Sequence, residues 1–562
     1  MKLALKLPIV LILFTFLAAC ESRKEAAIRI LPNGSVVPPE VPIKRVGDTY
    51  LLLENIEASG DGILVEKSGA TLDGGLHVLS GSGSGIGVII AAANVTVRNI
   101  MVQEFEYGVY VSDSPRCSIM NAHVTGGRVG IGLWRSTGCS IARNIVNKSR
   151  VGLFLEDSSG ATIEDNVFEF SGLYVRRSYG NRVDGNVVNG RPIVYFEGAS
   201  GVKVKGVVGQ VVLVRCSNVS VSVSAEYSSV GILVSESSMV EVVESNLRGN
   251  LVGIDVWGSR SCIVRNCSLR DGEVGLRLAY SNNCLVEKLE VERSRFGIYL
   301  ESSNLNSLKD SNLSECWGNG LLLTNSSENR ILDVIISGSM FGASILSSNS
   351  NFFAQNAFWR NSYGVTINAS QGNMFTGNDF VENKVHVQLV SQSLNSWDDG
   401  VKGNFYNDLW ELRVSGRGSF DRVYRFDENN LDRYPLDEPT LIMPVTTVTQ
   451  LGYASGSGWY LKGSFVFVEV KPVNLLLVSF DRWEDSAGRT VSREPRILLQ
   501  VAGPTFLKAV WKVNYYAIAA LTATITALYY LYRAKIRASP KARKWWRRRR
   551  WRGNLVFEVY ED

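Results

Sequence analysis

Between Gly297 and Asn395 a glycine followed by alternating apolar residues returns about every 22 positions, and an asparagine stands nine residues after each glycine. The glycines are Gly297, Gly320, Gly342 and Gly364, and the asparagines are Asn306, Asn329, Asn351 and Asn373. Asn395 keeps its place in the next unit although His386 has taken the glycine slot. Apolar residues recur between the markers in three short runs: Ile298 and Leu300 become Leu321 and Leu323, Leu308 becomes Ile331 and then Phe353, and Leu313 becomes Ile336 and then Phe358. Alternating runs bounded by Asn, Ser, Asp or Gly are strands separated by turns. A unit this short cannot bury its own apolar face and must stack on its neighbours. The expected fold is all-β, a right-handed parallel β-helix with one rung per repeat and rungs about 4.8 Å apart. An inward-pointing turn asparagine needs its amide satisfied, and the same residue one rung away supplies both donor and acceptor. The asparagine column is therefore read as a structural ladder.

The same spacing extends towards the N-terminus through Gly62, Gly87, Gly108, Gly130, Gly152 and Gly172. In these units the ladder position holds Cys117, Cys139, Ala161 and Asn181, and Cys262 and Cys284 occupy it after Gly253 and Gly275. Parallel Cβ vectors one rung apart exceed the ~3.8 Å Cβ separation of a disulfide, so these thiols are expected to be buried and unlinked. No cysteine pair has CxxC spacing, and neither a metal site nor a cofactor is expected. The period is lost between Gly190 and Gly231. The organisation read from the chain is a β cap over 27–61, then one continuous β-helix over 62–440 carrying an irregular insert at 190–230.

Both ends read differently. Lys2 and Lys6 precede an apolar run ending at Ala19, the pattern of a signal peptide over 1–19. The run closes Leu17-Ala18-Ala19-Cys20, which makes Cys20 a candidate for lipid attachment. Residues 445–512 alternate strand-like runs with turn residues, as a small β-sandwich would. An apolar run inside 513–532, edged by tyrosines, is the expected transmembrane helix. From Arg533 to Asp562 the chain carries 11 basic and 3 acidic residues, which leaves everything before Arg533 at about −3 out of a total of +5. The body has no basic field for nucleic acid, and the basic tail is expected on the cytoplasmic side. The expected protein is single-pass, with a large extracellular body.

Several stretches carry a resemblance. The opening "IRILPNGSVVPPEVPIKRVGDTYLLLENI", the insert "NGRPIVYFEGASGVKVKGVVGQVVLVRC", and the ending "NSWDDGVKGNFYNDLW" with "ENNLDRYPLDEP" are similar to the NosD-like surface proteins of archaea. The resemblance implies a pectin-lyase-like β-helix, a class with carbohydrate-binding and sugar-hydrolysing members. NosD proper further implies copper handling, but His77, His123 and His386 fall on rungs far apart, whereas soft-metal sites need several such residues to converge. The segment "GSGWYLKGSFVFVEV" resembles internalin-type B-repeat modules.

For chemistry, a glycan lyase or hydrolase on this fold needs carboxylates, with or without a basic partner, on the outside of adjacent rungs. The candidate column is Lys288, Asp310 and Asp333. For binding, Tyr110, Trp134 and Phe154 fall on successive rungs pointing away from the core, with Trp257 comparable further on. Such aromatics either stack sugar rings or cover the insert. The expectation is a membrane-anchored surface protein that binds polysaccharide or another envelope component without catalysis, with a carbohydrate-active enzyme as the first alternative and a NosD-like accessory role in copper handling as the second. An outer groove gathering acidic side chains with a basic one is the feature that separates the binding and enzyme readings.

Overall fold

The computed structural model describes residues 28–391, 393–410, 423–471 and 477–538. The signal pattern, Cys20 and the tail from 539 onward lie outside these residues. The chain divides into two units at Thr440 and Leu441.

The first unit is all-β and built of parallel rungs, but it is not one continuous coil. Residues 28–188 wind a first solenoid of three sheets, in which Ile28–Ile30, Ile63–Val65, Ile86–Ile90, Tyr107–Ser112, Val129–Trp134, Val151–Glu156 and Leu173–Arg176 stack in register in one of them. The stretch read as a cap is already partly coil: Ile28–Ile30 pairs parallel with Ile63–Val65, and Thr49–Leu52 pairs parallel with Thr71–Asp73. Only Val36–Val37 and Ile43–Val46 are antiparallel additions that cover the open end.

At Val187–Val188 the strand pairs antiparallel with Arg191–Pro192, and the chain turns back on itself. A second solenoid follows. Its long strands run from Arg191–Glu197 to Val385–Leu389 in one sheet, and its paired short strands form another. The segment 190–230 is thus no insert. It holds the reversal and the first rungs of the second coil, with Val194 opposite Val211 and Val211 opposite Ile232. The period is hard to see there because the isolated bridges from Ser200 to Ser217 to Ser238 step by unequal lengths.

The second solenoid runs back along the first. Gln210 takes the amide of Leu173 at 2.9 Å and gives to its carbonyl at 2.6 Å. Further on, Tyr174 donates to Asp255 at 2.7 Å, and Arg150 pairs with Glu273. Gln210 and Asp255 both meet the last long strand of the first coil, and Glu273, further on, reaches back to Arg150, just before the preceding long strand. The outward faces of the two long-strand sheets form one buried seam, in which Val212, Leu233, Val252, Tyr299 and Leu322 join the core of the first coil. At strand spacing each rung adds about 4.8 Å to this contact.

Inside the second solenoid the repeat does what its spacing predicts. Ile298 lies opposite Leu321, Leu308 opposite Ile331, and Leu313 opposite Ile336. Asn329 donates from its backbone and from Nδ2 to Asn351 Oδ1 at 2.9 and 3.0 Å, and also from Nδ2 to the Ser303 carbonyl at 3.0 Å. Asn306 makes the same bonds to Asn329, Asn351 to Asn373, and Asn373 to Asn395. The Cys284 amide donates to Asn306 Oδ1 at 2.8 Å, so the cysteine and asparagine positions form one column. Cys117, Cys139, Cys262 and Cys284 are buried and free.

The second unit contains a β-sandwich of a five-stranded and a three-stranded sheet between Ile442 and Val513, closed around Val468, Trp483 and Leu507. It is followed by a helix, Tyr515–Ala538. The expected transmembrane span is not supported: among the described residues no helix is long and apolar enough to cross a membrane. The run is diluted by tyrosines and by Thr522, Thr524 and Thr526, whose hydroxyls bond back to carbonyls one turn earlier at 2.7–2.8 Å.

Candidate functional site

The seam removes the aromatic residues singled out as sugar platforms. Tyr110, Phe154 and Trp257 are 7%, 1% and 9% exposed, and Trp134 is half-buried. Tyr110, Trp134 and Phe154 point away from the first core but into the seam, where Phe154 also stacks on its first-coil neighbour Tyr174 at 5.6 Å; Trp257 belongs to the second coil and is covered from the first, with the Arg176 guanidinium over its ring at 5.6 Å. The seam also carries buried charge: Arg277 bridges Asp255 at 3.2 Å and Glu301 at 2.7 Å, while Glu156 pairs with Arg176 and Arg177. Burial raises the Asp255 carboxyl above its ordinary range, with Arg277 opposing.

The column Lys288, Asp310 and Asp333 is exposed and lies at a turn. All three residues are left-handed, with φ of 51°, 49° and 53°, and so are Glu244, Asn266 and Gln355 on other rungs of the column. The position is selected for a turn conformation that Asn and Asp tolerate, which accounts for the carboxylates without chemistry. Burial and then the charge of Asp310 raise the Asp333 carboxyl.

His386 owes its glycine slot to being last. A Cβ on Gly364 would meet the His386 carbonyl at 2.5 Å, whereas Val385–Leu389 ends its sheet and leaves room for a side chain. Its Nε2 faces Asp408 at 3.4 Å and its Nδ1 faces Asn383 at 3.4 Å, while Tyr424 donates to Asp408 at 2.8 Å. With both ring nitrogens facing residues of the closing rungs, the histidine sits at the coil end as part of its packing.

The arrangement that gathers acidic, basic and aromatic side chains is the groove where the two coils meet edge to edge, a cleft of about 390 Å³. Its walls are two columns of left-handed turn residues, Lys148 and Phe170 on the first coil and Tyr227, Gly249 and Asp271 on the second. Phe170 and Tyr227 are 59% and 42% exposed and meet edge to face at 6.1 Å. Asn189, at the reversal, holds them together: its Oδ1 accepts from the Phe170 amide at 2.9 Å, and its Nδ2 donates to the carbonyls of Glu226 and Tyr227 at 3.1 and 3.0 Å. Gly249 is required beneath the ring, because a Cβ there would lie 2.4 Å from Tyr227.

Each carboxylate in the groove is clamped by two guanidiniums. Asp271 takes Arg248 at 2.9 Å and Arg293 at 2.8 Å; Glu273 takes Arg295 at 3.2 Å and Arg150 from the opposite coil. The Arg293 and Arg248 bonds hold the Asp271 carboxyl below its usual range. A glycosidic general acid needs the opposite shift. The groove therefore meets the acidic-plus-basic criterion in composition, but Asp271 is shifted the wrong way for a general acid. The sequence did carry a signal for it: Phe170 and Tyr227 put bulky aromatic side chains at turn positions where φ is positive.

The donors that a copper site would use do not converge. Among the described residues no group of three or more His, Cys, Asp or Glu could hold a metal ion. The buried thiols are spent on carbonyls, Cys117 on Ala92 at 3.3 Å and Cys284 on Asn282 at 3.6 Å.

Among solved structures, the chain is similar to the periplasmic alginate epimerase AlgG at 12% identity, covering 62% of this chain and 80% of that one with a TM-score of 0.25. It is similar at 12% identity to a mannuronic acid specific polysaccharide family 6 lyase from human gut microbiota, covering 70% and 84% with a TM-score of 0.27. It is also similar at 13% identity to the Azotobacter vinelandii mannuronan C-5 epimerase AlgE4 A-module, covering 60% and 91% with a TM-score of 0.21. Likenesses this distant carry no argument about the groove. No curated protein matches. The family described as periplasmic copper-binding protein (NosD) matches twice, over residues 44–205 and 214–410. The matches fall on the first coil with its reversal and on the second coil, cover more than half of the chain, and make it a member of the NosD family.

Proposed function

We propose that this protein is an exported envelope component that binds a polysaccharide in the groove between its two solenoids and does not cleave it. The observation that carries the reading is the pairing of an exposed aromatic platform, Phe170 and Tyr227, with a carboxylate, Asp271, that guanidiniums keep ionised. Apolar ring faces stack on sugars, and a rigid scaffold lowers the ordering cost of binding. A glycan array with the full chain tests it. Replacing Phe170 and Tyr227 together by alanine should weaken binding roughly 30-fold, at about 1 kcal/mol per ring. Reducing-end and unsaturated-product assays should stay flat. Turnover abolished by Asp271→Asn would establish the enzyme reading instead.

The envelope location belongs to the same proposal and rests on the signal pattern of residues 1–19, the Leu17-Ala18-Ala19-Cys20 motif and the basic tail. Protease added to intact cells should digest the solenoids. Full protection of the body would overturn this part alone.

A further inference from the structure

We infer that the ligand of this groove is a linear anionic polysaccharide, one bearing carboxylates on its sugars, and that it lies along the rungs from the Phe170–Tyr227 pair to a second platform at Trp317. The inference rests on the binding reading above and names the class of glycan.

The charge follows from the clamps. Glu273 faces both Arg150 and Arg295 and so leaves an excess positive charge, whereas the Asp271 cluster is balanced, since Arg293 pairs with Glu292 as well as with Asp271 beside Arg248. Lys148 lines the same cleft, is exposed, and has no ion-pair partner among the described residues. An acidic neighbourhood that was only structural would balance its charges. Here the surplus faces open solvent beside a sugar-sized aromatic pair, and a positive cleft concentrates anions.

The direction follows from Arg295. Its guanidinium reaches Glu273 at 3.2 Å and lies over the Trp317 ring at 5.5 Å. Trp317 is 61% exposed, so the arginine steadies a large ring that the fold itself does not cover. Tyr227 precedes the strand Val230–Ser235 and Trp317 precedes Asn319–Thr324, four rungs later in the same sheet. At strand spacing this separates the platforms by about 19 Å. That span suits an oligosaccharide of several units, with the cations between its ends.

The test titrates the full chain with oligogalacturonate and with the same oligomer fully methyl-esterified, read by tryptophan fluorescence and calorimetry. The expected result is at least 10-fold tighter binding of the acid form, a difference that falls with added salt. Lys148→Ala should lower affinity for the acid form several-fold and leave the ester unchanged, with Lys148→Arg restoring it. Trp317→Ala should weaken both forms and remove the fluorescence change, and because the ring is exposed the fold should survive. Equal affinity for both forms, still sensitive to Phe170→Ala, would overturn the anionic assignment while leaving glycan binding intact. Loss of binding to both forms in the native chain would instead sink the underlying reading. A single-stranded DNA oligomer binding as tightly as the oligogalacturonate would overturn sugar recognition in favour of a general anion groove.

Discussion

The two solenoids are wound on the same period, yet they differ in how they end and in what their outer faces meet. The first fills its turn columns with a mixture, Cys117, Cys139, Ala161 and Asn181 in one and Asn144, Asn166 and Asn186 in another. It ends in the hairpin that starts the second coil. The second carries a longer asparagine run, Asn306 to Asn395 beyond Cys262 and Cys284, and internal ring stacks, Phe353, Phe375 and Trp397 at 4.7 and 4.5 Å, and Phe358, Phe380 and Tyr406 at 5.0 and 5.3 Å. Its ladders end on side chains from the closing segment: Asn430 Oδ1 accepts from Asn395 at 3.1 Å, and Asp432 Oδ2 accepts from the Asn404 amide at 2.7 Å and from Tyr406 at 3.1 Å. Inward positions obey one rule in both coils, because each must satisfy a neighbouring rung. Outward positions obey none that is local, since their burial depends on which coil lies opposite.

The largest expected effect tests whether the seam is as important as the interior. Arg277→Ala strands Asp255 and Glu301 in the seam and should cost about 3–5 kcal/mol. Urea unfolding should still show one transition for the paired coils, shifted down. Two separated transitions in the unmodified protein would break the idea that the seam couples them. Within the second coil, Asn351→Leu removes the acceptor of the Asn329 amide and the donor to the Ser326 carbonyl, and should cost roughly 1–3 kcal/mol. A change within error would mean that the ladder is decorative.

A smaller effect concerns the end that only the second coil possesses. Burial raises the Asp432 carboxyl from an ordinary 3.8 to about 6, against the hydrogen bonds from Asn404. A carboxyl with a raised folded-state pKa contributes stability that is complete below about pH 4 and is lost as the pH rises through about 6. Asp432→Asn, which keeps an acceptor for the ladder, should flatten the stability profile over that interval and raise stability at pH 7. An unchanged profile would place the pH dependence elsewhere. The last test leaves stability alone. Thiol labelling without reductant should modify Cys117, Cys139, Cys262 and Cys284 only after denaturation, and a need for reductant would reveal disulfides in either coil.

Much of the architecture was legible because a solenoid repeats its internal accounts. A glycine where a Cβ would strike the next rung, as at Gly320 and Gly342, and an amide column from Asn306 to Asn395 are conditions each rung imposes on its neighbour, and neighbours lie a fixed 22 or 23 residues apart. The rung, its register and its inward residues could therefore be read from spacing. The reversal at Val187–Val188 could not, because one hairpin interrupts the period no more visibly than an insertion would. Nor could the fate of Tyr110 and Phe154 or the pairing of Phe170 with Tyr227, which depend on contacts between separate coils. What the sequence by itself determined about this protein is the solenoid and its interior, since those contacts recur at constant sequence separation. Only the tertiary structure decided which outer face was buried and which edge became a groove, because antiparallel packing of two coils makes every such contact span a different length of chain.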